Sequence, residues 1–271
     1  MMYLESFPLL DEIAAYLRSQ IGQVAEPHPI AATIGLVSWA TGGRYLVRNP
    51  SSTRNQDERV KPEDVRQSVR LLGTQSIERG CGELVEAAKR VARAVDPKPF
   101  RLISGLTWFE ESHPHQRPLS EGTNYALCQM GPVTGFCEDE IFVEYLGEVL
   151  FVEAQTFQAN QNFNEAPPPT KLVRHLRRIR RQKMDILVNW TPDALELMRS
   201  MFLGSATDVY SLVTARRVRN VAALVAIALN PDNPVIKTDI IVAATEPAIV
   251  SYQFVSEMFV GESPYPSARG T

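Results

Sequence analysis

The stretch that most restricts how this chain can fold is Lys171–Val188, KLVRHLRRIRRQKMDILV. Seven basic residues and no acid lie between Lys171 and Lys183. At 3.6 residues per turn, Leu172, Leu176, Ile179, Ile186 and Leu187 fall on one side, and Arg174, Arg177, Arg178 and Arg181 on the other. The pattern predicts one amphipathic helix through Val188. Its apolar side must dock on a core, and its arginine side is left for something negative. A Pro-rich break, Glu165–Thr170, separates it from what precedes.

Charge is distributed unevenly around this helix. Residues 1–166 carry 15 basic against 22 acidic side chains, and residues 167–271 carry 13 against 9. The interval 102–166 holds one basic residue, Arg117, and ten acids. An acidic middle beside a basic helix suggests complementarity within one molecule or between copies. The net charge of −3 argues against a protein that coats nucleic acid with its whole surface.

Ahead of the break, Leu9, Leu10, Ile13, Leu17 and Ile21 make a helical stripe over residues 8–21. The run Ile30–Ala40 is apolar on all sides and reads equally as strand or buried helix until Gly42-Gly43 ends it. Residues 49–61 are polar and turn-rich, as expected of an exposed loop. A helical pattern from Lys61-Pro62 reaches about Ala94, with a break near Gly80-Cys81-Gly82. From Pro99 the period changes. Phe100–Phe109, Asn124–Met130 and a hairpin around Gly147 read as strands, and 158–169 as an arm or linker.

Beyond the basic helix, Thr191-Pro192-Asp193 opens a helix that Gly204 closes, and another runs to Leu229 with Arg216, Arg217 and Arg219 on it. Asn230–Pro234 forces a turn, Val235–Ala243 reads as a strand, and Ile249–Val260 fits either element. The expected fold is therefore α+β, with helical N- and C-terminal parts around a mainly antiparallel β middle. A chain of 271 residues is read as a single intertwined domain: helical over 1–98, β-rich over 99–157, an arm over 158–170, and the basic helix with a mixed helical and β part over 171–271.

Motifs that carry catalytic chemistry are missing: there is no G-x-S-x-G elbow, P-loop or dinucleotide-binding glycine fingerprint. His113, His115, Cys128 and Cys137 supply four zinc-type donors without finger spacing. Glu138-Asp139-Glu140, with Glu110, Glu111 and Glu144, are sequence neighbours that diverge in a turn or strand rather than converge in a cleft. Cys81 between two glycines has no placeable His and Asn partners. The chain is accordingly expected not to be an enzyme and to need no metal or cofactor. Three cysteines without a framework spacing, and an N-terminus carrying Glu5, Asp11 and Glu12, point to a cytoplasmic setting, or to a virion. No apolar run is long enough to span a bilayer, so no membrane partner is expected.

What remains is electrostatic. Lys171, Arg174, Arg177, Arg178, Arg180, Arg181 and Lys183, extended by Arg216, Arg217 and Arg219, are the expected phosphate-contacting residues. The absence of aromatic residues from Lys171–Lys183 argues against base stacking. The expected class is a self-assembling structural protein that touches nucleic acid without base specificity, such as a coat, capsid or nucleocapsid subunit, whose main partner is itself. An enzyme centred on His113, His115 and Glu138–Glu140 is one alternative. A module gripping an acidic partner with the basic helix is the other.

Overall fold

A computed structural model describes residues 7–26, 28–42, 44–48, 50, 81–97, 103–104, 128–129, 156–183, 186–204 and 209–260. The first helix, α1 (Pro8–Ser19), forms where the sequence places it. Pro8 stands at its start, where no N–H is needed, and Leu9, Leu10, Ile13 and Leu17 are buried. The ambiguous apolar run is helix α2 (His28–Thr41), and every residue from Pro29 to Thr41 is buried. A helix that is apolar all round belongs at the centre of a helical core. Accordingly α1, α3 (Cys81–Val95) and α4 (Thr170–Arg180) all pack on α2. Two of its three hydroxyls donate within the helix, Thr33 to Pro29 O at 2.8 Å and Thr41 to Ser38 O at 2.6 Å.

The rest of the core is α5 (Pro192–Gly204), α6 (Val209–Leu229) and α7 (Thr238–Val260), with α6 and α7 forming the most extensive helix pair. Among the described residues there are seven helices, which hold about 68% of those residues. The strands are short: β1 (Gln23–Glu26), β2 (Tyr45–Val47), β3 (Ile103–Ser104), β4 (Cys128–Gln129), β5 (Thr156–Ala159), β6 (Ile186–Trp190) and β7 (Val235–Ile236). The one three-stranded sheet has the order β2–β6–β7 and is all parallel, with Tyr45 opposite Ile186 and Asn189 opposite Val235.

This overturns the expected fold class. The described residues are mainly helical around a small parallel sheet, and no antiparallel β middle stands among them. The two described fragments of that middle, β3 and β4, pair parallel, and the antiparallel pair is β1 with β5. Alternating β-formers announce a strand but not its direction. Direction follows from the connection, and a helical crossover such as α5–α6 between β6 and β7 returns the chain parallel. The hairpin expected around Gly147 and, apart from Pro50, the loop at 49–61 lie outside the described residues. Two boundaries also move. The basic helix ends at Arg180, and Ile186–Trp190 leaves it as strand β6. The strand expected over Val235–Ala243 keeps two residues before Thr238 opens α7.

Candidate nucleic-acid interface

Helix α4 is fixed by its apolar side. Leu172, Val173, Leu176 and Ile179 are buried in the common core. The helix closes where the Arg181 N–H reaches Arg177 O at 3.0 Å and Gln182 N–H reaches Ile179 O at 3.3 Å.

The basic residues of α4 divide into two sets. Lys171, Arg174, Arg178 and Arg181 are exposed and follow one another at spacings of three and four, so they form a single ridge, with exposed Lys183 just beyond. Lys171 is 86% exposed although its Nζ stands 3.6 Å from Glu12. Arg178 pairs with Asp232, in the turn after α6, and Gln182 donates to the same carboxylate. The Arg178 hydrogen bond first, and that from Gln182 second, hold the Asp232 carboxyl below the usual carboxylate range.

Arg177 and Arg180 turn inward. Arg177 donates to Ala94 O and Val95 O at the end of α3. Arg180 donates from Nε to Asp96 Oδ2 at 2.9 Å and from Nη1 to Trp39 O at 3.1 Å, near the end of α2. Carbonyls in the last turn of a helix lack an intrahelical donor and carry the negative end of its dipole. Two of the seven basic residues therefore serve the protein's own helix ends. His175, on the same helix, places Nε2 2.9 Å from Ala228 O at the end of α6.

The second basic cluster does not extend the ridge. Ala228 marks where α6 meets α4 through His175, and Arg217 lies eleven residues earlier, about 16 Å along the helix. Arg217 is fully buried, and burial pushes its guanidinium down to about 9. It cannot be a surface contact in this fold. Arg219 is half-buried, 5.8 Å from the Phe202 ring centroid, with Nε bonded to Asn220 Oδ1 at 3.3 Å. Arg216 is half-exposed.

One basic residue at this end of α4 escapes a reading along the sequence: Arg44, just before β2. Its carbonyl accepts from Ile186 N–H at 2.9 Å, and its guanidinium stands beside that of Arg180. Nothing in its neighbours along the chain marks it, because the approach is made through Gly42. His113, His115, Cys137 and Glu138–Glu140 lie outside the described residues, as does the side chain of Cys128. Among the described residues no three metal-ligating side chains come together, and no helix is long and apolar enough to cross a membrane.

No family model, no curated protein and no solved structure matches this chain.

Proposed function

We propose that this protein is a self-assembling structural subunit that contacts the phosphate backbone of a nucleic acid through α4, as a coat, capsid or nucleocapsid protein does. The observation that carries the reading is the ridge of Lys171, Arg174, Arg178 and Arg181, continued by Lys183, on a helix whose opposite side is locked into the core. The ridge is about 15 Å long, from ten residues at 1.5 Å each. That matches roughly four nucleotides at 3.4 Å per step of one strand. It has no aromatic side chain, so it suits backbone contact rather than base stacking. Exposed Leu229, Val242 and Ile249 on α6 and α7 offer apolar surface for self-contact.

The test is fluorescence anisotropy with a labelled single-stranded 20-mer across a salt series, run beside size-exclusion chromatography with light scattering. Five contacting cations give a slope of log K against log salt near −3 to −4, from about −0.7 per phosphate on single strands. Arg174→Ala, Arg181→Ala and Lys183→Ala combined should flatten it by about two units. Unchanged binding in the triple variant removes α4 as the contact, and a clean monomer without nucleic acid removes the assembly reading.

A further inference from the structure

A second basic cluster stands where α2, α3 and α4 all end. Gly42 follows α2 in the left-handed region, at φ +59°. A Cβ there would stand 3.4 Å from Arg180 Nη1 and closer still to Arg44 Nη1, so the two guanidiniums share one small space. Arg177 reaches the same place from the next turn of α4, through its bonds to Ala94 O and Val95 O.

Arg44 and Arg180 bring two positive charges to this space, and Asp96 brings the one carboxylate among the described residues there. Arg180 places its Nε on that carboxylate, whereas the Arg44 guanidinium has a single long hydrogen bond among the described residues, to Thr41 O at 3.4 Å. Burial first, and then the neighbouring Arg180, lower the Arg44 pKa, as expected of a cation held beside another cation.

We propose that Arg44 and Arg180 together bind a phosphate group at this junction, in a site separate from the Lys171–Lys183 ridge. Arg44 offers its fork, and Arg180, with Nε on Asp96 and Nη1 on Trp39 O, adds its remaining Nη donors, so that together they match the several oxygens of a phosphate. The site takes the phosphate alone. Trp39 is 4% exposed and covered by Arg180 at 4.5 Å, and Tyr45 is 2% exposed, so neither ring leaves a face for a base. The phosphate can come from a free phosphate or pyrophosphate or from the end of a nucleic-acid strand.

Isothermal titration of the full chain with inorganic pyrophosphate at low ionic strength tests the site. Saturable binding near one per chain is expected, with at least a ten-fold loss in Arg44→Gln and a smaller loss in Arg44→Lys, which keeps the charge but not the fork. Arg44 is the residue to vary because Arg180 also ties three helices together, and far-ultraviolet circular dichroism checks that each variant is folded. Arg174→Gln, on the ridge, should bind pyrophosphate as the wild type does, so this site and the α4 interface can fail independently. Comparing 5′-phosphorylated with 5′-hydroxyl oligonucleotides separates the sources. A 5′-phosphate advantage that Arg44→Gln erases assigns the site to a strand end, and pyrophosphate binding without such an advantage assigns it to a free phosphate. No saturable pyrophosphate binding by the wild type, or equal binding by a folded Arg44→Gln, overturns the proposal.

Discussion

Arg180 lies over the ring of Trp39, with Cζ 4.5 Å from the ring centroid, and donates from Nη1 to the carbonyl of that same residue at 3.1 Å. Its Nε meanwhile holds Asp96 at 2.9 Å. One side chain thus ties α4 to the last turns of α2 and α3. At 16% exposure the ion pair is shielded from water and screens less than a surface pair. Arg180→Ala removes the pair, the stack and a carbonyl bond, and should cost about 3 kcal/mol. Arg180→Lys keeps the charge without the planar fork and should cost about half as much. Urea midpoints measure both. A loss below about 0.5 kcal/mol in Arg180→Ala would mean that the staple contributes nothing.

The segment from Thr156 to Pro169 is strapped to the end of α1 by side-chain amides. Gln20 donates to Asn164 O at 2.6 Å and accepts from Ala166 N–H and Arg90 Nη2, each at 3.1 Å. Asn160 donates to Arg18 O at 2.7 Å and Ile21 O at 2.8 Å, closing the α1 terminus. Gln20 is 2% exposed, and Gln20→Ala removes its hydrogen bonds to half-buried Ala166 and Arg90 and to exposed Asn164, so it should cost roughly 2–3 kcal/mol, against roughly 1–2 for Asn160→Ala. The effect should be local. Hydrogen exchange at Asn160, Asn164 and Ala166 should quicken about ten-fold or more in Gln20→Ala while α6 keeps its protection. Equal loss of protection throughout would show that strap and core open as one unit.

Some of this architecture is legible along the chain and some is not, for identifiable reasons. The stripe of α1 and the Thr191-Pro192-Asp193 start of α5 are local signals, and both mark real helices. The α2 run is apolar all round, so periodicity has nothing to distinguish. Helix α4 reads too long because Ile186 and Leu187 satisfy a helical stripe as well as a strand. The inward turn of Arg177 and Arg180 was hidden because their partners are carbonyls and a carboxylate more than eighty residues away. Arg217 was readable. It stands four residues from both Val213 and Val221, on the apolar side of α6, and only its adjacency to Arg216 makes it look exposed.

Alkaline stability should carry two opposed signatures. Burial lowers the Arg217 guanidinium to about 9, so between that pH and its ordinary, higher value the unfolded chain binds more protons and stability rises with pH, by at most about 1.4 kcal/mol per unit. Burial, with the Asp232 charge second, raises the Tyr45 phenol from 10.0, and its hydroxyl donates to Pro231 O at 3.0 Å. That contribution is fully present below pH 10 and is lost as pH climbs towards the raised value. Arg217→Met should remove the rising term, and Tyr45→Phe the falling one. Urea midpoints from pH 8 to 11 for the wild type and both variants resolve them. An Arg217→Met curve parallel to the wild type would show that this guanidinium binds protons equally in both states.

If α4 meets a nucleic acid as proposed, Asp232 competes with phosphate for Arg178. Its carboxylate takes hydrogen bonds from Arg178 and Gln182 at the edge of the ridge, so a nucleic-acid phosphate arriving there must displace it. Both side chains of the pair are about half exposed, which makes the displacement cheap. Asp232→Asn frees Arg178 and removes one nearby negative charge. Affinity for a single-stranded oligonucleotide at low salt should then rise a few-fold, because Arg178 reaches its phosphate without displacing a carboxylate. The same substitution in an Arg178→Ala background should raise affinity much less, because the gain passes through the released arginine. Equal gains in both backgrounds would mean that Asp232 acts by bulk charge alone and does not hold Arg178 in reserve. The hydrogen bonds also keep Asp232 ionised below the usual carboxylate range, so the restraint persists at mildly acidic pH. Lowering the pH from 7 to 5 should leave the ratio of mutant to wild-type affinity unchanged.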